Sequence, residues 1–285
     1  MSELTIVQIT DTHLRPEGEL LHGVDTAANL TAVLDRLREF GQRVDVLIFS
    51  GDLSDNGSPE AYRRLRAAVE PVAADLGAEI VYAMGNHDER TAFGVELLDR
   101  DSVDPDLPHD QCVEVAGVRI IVLDSTTPFQ HDGKLEPEQL TWLAGILRTP
   151  APHGTVLVVH HPPLRSPLAT LDFLRLKDAE QLAEVVAGTD VRMILCGHNH
   201  LTGASALAGI PVWIGPAMAY RVDAMAPAGR HRGFVGFGYS RIDVMESTVL
   251  ATAIDAAPAP TVYDRPESEM LEQIAAIVAA RAAVK

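Results

Sequence analysis

Short apolar runs alternate with longer amphipathic segments over the first ninety residues, and this alternation restricts the fold more than any other feature of the chain. Runs at Leu4–Ile9, 44–49 and Glu79–Ala83 are typical of buried strands. Helices are predicted over residues 26–40 and from Pro59 to about residue 76, where Ser58 is the expected N-cap. The order β-α-β-α-β predicts parallel strands joined by crossover helices.

The second half of the chain adds antiparallel signals. Two apolar runs flank Ala116-Gly117 and predict a hairpin. The pattern therefore favours an α/β fold with two mixed sheets over a single doubly wound sheet. Further strands are predicted at Gln111–Val115, Val118–Leu123, Thr155–Val159, 191–195, 239–244 and 249–254, with helices at Pro137–Leu147 and 178–186.

The chain is predicted to divide into a main domain of residues 1–255 and a C-terminal segment of residues 256–285. Residues 256–266 contain three prolines and are typical of a linker. Glu267–Ala283 is predicted as a helix with one apolar face, which would dock on the domain or on a second subunit. A homodimer is therefore one open alternative.

The formal net charge of −17 argues against long nucleic acids as partners, because an acidic surface repels a polyanion. No apolar run is long enough to span a bilayer, and the N-terminus lacks the pattern of a secretory signal. A cytoplasmic protein is expected. Cys112 and Cys196 are far apart and are expected to be free thiols.

Side chains of the kinds that bind metals follow five of the predicted strands, at the point where each strand ends. Because ligands of open α/β sheets gather at the carboxyl ends of strands, we expect one shared site. Carboxylates and imidazoles without cysteine suit Mn, Fe or Zn. The five groups are Asp11-Thr12-His13, Gly51-Asp52, Gly85-Asn86-His87-Asp88, His160-His161-Pro162 and Gly197-His198-Asn199-His200.

Each group alone is an ordinary loop sequence, and the prediction depends on all five together. Alternate residues of a strand point the same way, which would bring Asp11 and His13, or His198 and His200, to one site. The glycines before Asp52, Asn86 and His198 would permit tight turns. Two cations roughly 3.5–4 Å apart can bridge a phosphoryl oxygen and form hydroxide from bound water, with Asp52 as the natural carboxylate between them.

This ordered set resembles the calcineurin-like metallophosphoesterases, over about residues 4–214. The wider sequence is most similar to bacterial class III cyclic nucleotide phosphodiesterases, notably at residues 22–25, 61–66 and 149–163, and glycerophosphodiesterases are near neighbours. The resemblance implies two facing mixed β-sheets flanked by helices. It implies one metal bound by Asp11, His13, Asp52 and His200, and another bound by Asp52, Asn86, His160 and His198.

The same resemblance implies two catalytic side chains. His87 would steady the transition-state charge or protonate the leaving oxygen, and Asp55 would orient His87. Residues 129–133 contain one histidine where the similar enzymes carry a cluster, so the exact substrate stays open.

The predicted function is hydrolysis of small phosphate diesters, such as 3′,5′-cAMP or 2′,3′-cAMP, by hydroxide formed on two metal ions. A glycerophosphodiesterase or phosphomonoesterase on the same centre is the alternative, and the absence of an obvious basic clamp for a monoester favours diesters. A nuclease conflicts with the acidic charge. A non-catalytic scaffold conflicts with the complete ligand set.

Several other polar residues are interpreted as secondary to this centre. His161 is expected to support the site, Asp124 to be structural, and Arg15 to be solvated. Asn199 is a candidate for contact with the substrate phosphate, and the Gly-rich residues 227–238 are either a lid or a plain loop. The histidines expected at the surface or in turns are His22, His109, His153 and His231.

Overall fold

Two mixed β-sheets lie face to face, with helices on the outer face of each, in the computed structural model, which describes residues 3–283. The strands are β1 (Leu4–Ile9), β2 (Val46–Ser50), β3 (Glu79–Ala83), β4 (Gln111–Val115), β5 (Val118–Leu123), β6 (Thr155–Val159), β7 (Val191–Cys196), β8 (Gly203–Leu207), β9 (Ile210–Ile214), β10 (Arg221–Val222), β11 (Gly233–Phe234), β12 (Gly238–Val244) and β13 (Val249–Asp255). The helices are α1 (Thr26–Glu39), α2 (Pro59–Leu76), α3 (Arg90–Glu96), α4 (Pro137–Leu147), α5 (Ala169–Leu174), α6 (Ala179–Val186) and α7 (Glu267–Ala283).

The first sheet has the strand order β13-β12-β1-β2-β3, and the second has the order β4-β5-β6-β7-β9-β8. In the first, β1, β2 and β3 are parallel to one another, β12 pairs antiparallel with β1, and β13 pairs antiparallel with β12. In the second, β5, β6, β7 and β9 are parallel, and antiparallel strands close both edges. The predicted fold class is confirmed.

Alternation along buried strands explains the layers, because successive side chains point to opposite faces. In β2, Val46 and Ile48 pack between the two sheets, whereas Leu47 and Phe49 face the helical side with α1 and α2. In β6, Val158 lies between the sheets and its neighbours face α4 and α6. Both faces of each sheet are thus buried, which is why these strands are almost wholly apolar.

The elements that the sequence analysis missed are short or rich in small residues. Helices α3 and α5 have seven and six residues, too few for a clear helical period. Strand β8 reads Gly-Ala-Ser-Ala-Leu and has no apolar run. Ser58 does occupy the N-cap of α2, but its side chain makes no capping hydrogen bond.

The start of the C-terminal segment still packs on the main domain. Ala256 and Ala257 still pack on the core, and the Ala256 N–H donates to the Phe237 carbonyl at 3.0 Å. In α7, the apolar side chains Leu271 and Ile274 are 60% and 52% exposed. The division at residue 255 stays a prediction. Within residues 3–283, no helix has the length and apolar character needed to cross a bilayer.

Candidate metal centre

The loops that follow β1, β2 and β3 of one sheet meet the loops that follow β6 and β7 of the other. Three groups of side chains there could each hold a metal ion, since the ligand atoms of each group lie within 4.8 Å of one another. One is His13, Asp55 and His87, and the other two share Asp52. The predicted convergence at the carboxyl ends of strands is therefore observed. Of the two groups that share Asp52, the first is Asp11, His13, Asp52 and His200, and the second is Asp52, His160 and His198.

The backbone of these loops is left-handed at the metal-type residues, so the expected strand alternation does not explain their orientation. Such φ values are uncommon for residues other than glycine and concentrate at functional sites. A left-handed residue sharply changes the chain direction at the strand end and turns two side chains toward one point. The φ angles are 54° at Asp11, 42° at His13, 51° at Asp52, 68° at His198 and 50° at His200.

Glycines beside the site meet two different requirements. Gly51 has φ +104° and makes the turn that was predicted. Gly85 does not have a positive φ, and it is required for space instead: a Cβ there would overlap Asp52 and lie 2.7 Å from His160 Nε2. The loop after β3 can therefore pass directly behind the site only because residue 85 has no side chain.

Two imidazole nitrogens face each other in the first group. His13 Nδ1 lies 3.0 Å from an Asp55 carboxylate oxygen, and His200 Nδ1 lies 3.1 Å from the Tyr220 carbonyl. Both oxygens can only accept, so each Nδ1 carries a hydrogen, and each ring in its neutral form presents a lone pair at Nε2. The two Nε2 atoms are 3.1 Å apart. This arrangement fits a cation bound between them.

The second group contains buried acceptor atoms that have no hydrogen-bond partner. His160 Nδ1 donates to the Ser50 carbonyl at 2.9 Å, so the neutral ring presents its lone pair at Nε2. That atom, His198 Nε2 and Asn86 Oδ1 are all buried and without a hydrogen-bond partner among the described residues, and His160 Nε2 lies 3.4 Å from an Asp52 carboxylate oxygen. Buried polar atoms are rarely left unsatisfied, and these three fit the ligand set of a second cation.

The electrostatics keep Asp52, His198 and His200 in their metal-binding forms. At His160, by contrast, burial is outweighed by Asp52, which raises the pKa of the ring to about 9, so a cation there would displace a proton. Burial alone would raise the pKa of Asp52, but His160 and then His13 hold it well below its usual range. Burial, reinforced by His160, lowers the pKa of His198 to about 3, and burial with His13 does the same for His200. Asp52 is therefore ionised and these two imidazoles are neutral at pH 7, as metal ligation requires.

Asp55 contacts a different histidine from the one predicted. Its carboxylate accepts from His13 Nδ1 and from Arg15, whose Nε lies 2.9 Å away. His87 Nδ1 instead donates to the Asp55 backbone carbonyl at 2.9 Å, and its distance to the carboxylate is 3.9 Å. The main chain of Asp55, rather than its side chain, thus orients His87. The expectation that Arg15 is simply solvated is therefore wrong, because its guanidinium pairs with the Asp55 carboxylate.

Asp88 is a structural residue that the sequence analysis did not single out. Its carboxylate accepts from the backbone N–H groups of Leu53, Ser54 and Gly85 and from the Tyr62 hydroxyl. Burial, with Asp52 adding to it, raises the pKa of Asp88 to about 6 in spite of these bonds. The residue joins the loops after β2 and β3. Its place in the Asn-His-Asp sequence is the one signal that could have found it.

The remaining histidines divide between the interior and the rim. His161 is buried and its Nδ1 lies 2.8 Å from Ser125 Oγ, in keeping with a supporting role. His109, expected at the surface or in a turn, lies in a loop but is buried and bonds the Arg90 carbonyl through Nε2 at 2.9 Å, so a surface position is wrong. His22, His153 and His231 are exposed as expected.

A cavity of about 350 Å³ lies over the two groups and is open to solvent. This is within the range of small-molecule sites. Besides the metal-type residues it is lined by His22, His131, Asn199, Tyr220 and His231. His131 was not proposed individually, and it lies 3.2 Å from the Asn86 amide nitrogen through Nδ1. We call this space the metal cavity.

Residues 4–201 match the family model described as calcineurin-like phosphoesterase. The chain belongs to this family. It is 42% identical over 263 residues to the cAMP/cGMP dual specificity phosphodiesterase of Mycobacterium tuberculosis, covering 91% of this chain and 82% of that protein. It is 41% identical over 250 residues to the probable cyclic nucleotide phosphodiesterase of Rhodococcus erythropolis, covering 87% and 82%.

The fold has been seen in other phosphoesterases of this kind. A dimetal phosphatase from Danio rerio superimposes with a TM-score of 0.61 at 15% identity, covering 90% of this chain and 98% of that protein. At this identity the likeness shows a shared fold. Membership of the calcineurin-like phosphoesterases, together with the buried Asp and His groups, supports two metal ions in this chain.

Proposed function

We propose that this calcineurin-like phosphoesterase hydrolyses small phosphate diesters, and cyclic nucleotides first among them. The observation that carries the proposal is the pair of ligand groups that share Asp52 at the floor of the metal cavity. The relatives described above are named as cyclic nucleotide phosphodiesterases, and they match most of the chain.

The proposed ligands follow the two groups. Asp11, His13, Asp52 and His200 would hold one ion, and Asp52, Asn86, His160 and His198 would hold the other. When bound, the two ions supply positive charge to the phosphate and lower the pKa of the attacking water. Mn, Fe and Zn all suit these ligands. A cytoplasmic location and a homodimer stay predictions.

His87 is the proposed proton donor or transition-state contact. Its Nδ1 donates to the Asp55 carbonyl, and its backbone N–H donates to Asp52 at 2.9 Å. The ring is therefore fixed at the edge of the metal cavity, with Nε2 available to the leaving oxygen. The buried, unpartnered Oδ1 of Asn199 marks that residue as a second candidate for substrate contact.

The lining of the metal cavity favours diesters over monoesters. Among the described residues that line it there is no lysine or arginine. A monoester dianion carries one more negative charge than a diester, and fixed basic groups are the usual means of holding that charge. The metal ions alone are better matched to the single charge of a diester.

The test is hydrolysis of bis(p-nitrophenyl) phosphate beside p-nitrophenyl phosphate, with added Mn²⁺ and a chelator control. We expect faster, chelator-sensitive cleavage of the diester, followed by cleavage of 3′,5′- and 2′,3′-cyclic nucleotides. Asp52→Ala should abolish turnover, whereas Asp75→Ala, at an exposed carboxylate, should not change it. Preference for the monoester would make the enzyme a phosphatase, and full activity of Asp52→Ala would refute the metal mechanism.

Replacing His87 with Ala separates its role from that of the ligands. We expect a lower kcat with both metal ions retained, measured by elemental analysis of the purified protein. Loss of the metals from His87→Ala would contradict the role assigned to this residue.

A further inference from the structure

A second cavity of about 330 Å³ lies directly beside the metal cavity. The two share His22, Tyr220 and His231 as lining residues. Its other walls come from Val24 and from the β10–β11 hairpin. Because four of its lining side chains are planar rings, we call it the ring cavity: His22, Tyr220, His231 and Phe234.

Tyr220 forms the wall between the two cavities and is held rigidly. Its carbonyl accepts from His200 Nδ1, and its ring centroid lies 4.3 Å from the His200 ring. On the hairpin side, a Cβ at Gly233 would lie 3.3 Å from Tyr220 Cδ2, so the backbone of β11 passes close to the ring. The ring of His22 meets Tyr220 edge-on at 5.8 Å. A group in the ring cavity would thus lie one side chain away from a metal ligand.

The hairpin presents apolar side chains to solvent at this place. Phe234 is 50% exposed and Val235 is 81% exposed, although both line the cavity. Exposed apolar groups that line a cavity next to a reaction centre are typical of a ligand site. A flat ligand placed there would cover the Phe234 ring and remove apolar surface from water.

We propose that the ring cavity binds the nucleobase of a nucleotide whose phosphate lies in the metal cavity, and that Phe234 determines this specificity. The inference rests on the proposed function and adds a subsite to it. Nucleobases are planar, and every base can stack on an aromatic side chain. The ring cavity offers such faces, and no lysine or arginine lines it among the described residues, so it suits a neutral ring rather than an anion.

The cavity on the other side of the metal centre is less suited to a base. It shares only Asn86 with the metal cavity, and two exposed carboxylates, Glu89 and Asp106, line it. Its arginine, Arg90, is occupied by Asp124 and by the carbonyls of neighbouring loops. This cavity does hold one exposed aromatic residue, Phe129, which provides a matched control for Phe234.

The test compares single phenylalanine substitutions in the metal-loaded enzyme. Phe234→Ala should raise the KM for 3′,5′-cAMP about 5- to 20-fold, the lower part of the range for loss of a base-stacking ring, with kcat within about threefold. Phe234→Tyr, which keeps a ring, should stay within about twofold of the original KM, and Phe234→Leu should behave like Phe234→Ala. Phe129→Ala should leave the KM within about twofold. Unchanged KM in Phe234→Ala, or a larger rise in Phe129→Ala, would overturn the proposal.

Binding of adenosine separates failure of this inference from failure of the proposed function. Adenosine has no phosphate, so its binding, measured by saturation-transfer NMR, does not depend on hydrolysis. We expect contact with the original protein and loss of contact in Phe234→Ala. If cyclic nucleotides are not cleaved but adenosine still binds through Phe234, the function fails and the base subsite stands. If diesters are cleaved and adenosine does not bind, the base subsite is refuted and the proposed function stands. Binding of choline, a cation without a planar ring, in place of adenosine would refute the base subsite in the same way.

Discussion

Several of the metal-type side chains are held in place by a hydrogen bond. His13 is held by Asp55, while His160 and His200 are held by backbone carbonyls. The carboxylate of Asp11 accepts from the His198 N–H at 2.9 Å. Such partners fix the tautomer and the direction of a ligand side chain, and they raise the affinity for the metal.

Asp55→Asn is expected to weaken binding of one metal ion. The variant keeps an oxygen for His13 but loses the charge that joins His13 to Arg15. Loss of such a partner typically costs about 10- to 100-fold in metal affinity or activity. Titration calorimetry with Mn²⁺ measures the effect, and Asp223→Asn, which breaks an exposed carboxylate–arginine pair, is the control. A lower kcat with unchanged metal affinity would show instead that the Asp55 side chain acts through His87.

Asp110→Asn is expected to stabilise the protein at neutral pH. Burial raises the pKa of Asp110 from its ordinary 3.8 to about 6, while the Asp124 N–H and Gln139 Nε2 donate to one of its oxygens. A carboxyl group whose pKa is higher in the folded state does not change the free energy of unfolding below about pH 4, where it is protonated in both states. Above about pH 6 it lowers the free energy of unfolding by its full amount. The amide keeps the acceptor and removes that cost, a gain of about 1–2 kcal/mol given partial exposure of the side chain.

Urea unfolding at several pH values measures this gain. The advantage of Asp110→Asn should grow between pH 4 and pH 6 and then stay constant. Asp101→Asn, at an exposed position, should show no such trend. An advantage that is equal at pH 4 and pH 7 would refute the assigned ionisation.

At the scale of elements, two loops are paired like short strands. In the loops after β1 and β2, the N–H groups of Asp11, His13 and Leu14 donate to Gly51, Asp52 and Leu53 at 2.9–3.0 Å. The Asp55 N–H donates back to the Leu14 carbonyl at 3.0 Å. These bonds continue the β1–β2 pairing beyond the sheet. They allow a site built on left-handed loops to be as well fixed as one built on strands.

Gly85→Ala tests how closely the loop after β3 must approach the site. The added Cβ would overlap Asp52, so the loop or the ligand has to move. We expect loss of bound metal and at least about a tenfold fall in kcat/KM, since small displacements at such sites are costly. Gly145→Ala, in α4 with nothing within 4 Å of the new Cβ, should keep activity and gain about 0.5–1 kcal/mol in stability. Equal activity of the two variants would contradict the space requirement.

The sequence predicted long elements and ligand types well because both depend on local pattern. Strand β1 is a short apolar run, helix α2 begins at a recognisable Ser58-Pro59 cap, and Asp11 and His198 have residue types that suit metals. The partners of those residues could not be predicted in the same way. A carbonyl such as that of Ser50 has no residue-type signal, and the burial of His109 depends on packing between distant segments.

At the scale of the whole molecule, the metal centre joins the two sheets. Asp11, His13, Asp52 and Asn86 come from loops of the first sheet, while His160, His198 and His200 come from loops of the second. Buried Gln8 reinforces the junction, since its amide donates to Ser50 Oγ and to the Cys196 carbonyl, both at 2.9 Å. Bound metal ions would therefore stabilise the arrangement of both layers together.

Removal of metal is expected to lower the melting temperature of the whole domain in one transition. A ligand at 100 times its Kd adds about 2.7 kcal/mol, which corresponds to roughly 5–10 °C for a domain of this class. Differential scanning calorimetry with Mn²⁺ and with chelator measures the shift. Asp52→Ala should show almost no difference between the two conditions. Two separate transitions after chelation would mean that the sheets unfold independently.

Strand β1 has its two neighbours at opposite ends of the chain. One side pairs with β2, about forty residues later, and the other side pairs with β12, where Leu4 lies opposite Val244. A ribosome must therefore release the chain beyond Val244 before strand β1 is covered on both sides. Until then the nascent chain presents an apolar edge that favours aggregation. The sheet that carries Asp11 and Asp52 is thus completed only after β12 has emerged, and chaperone supply should govern the yield of active protein.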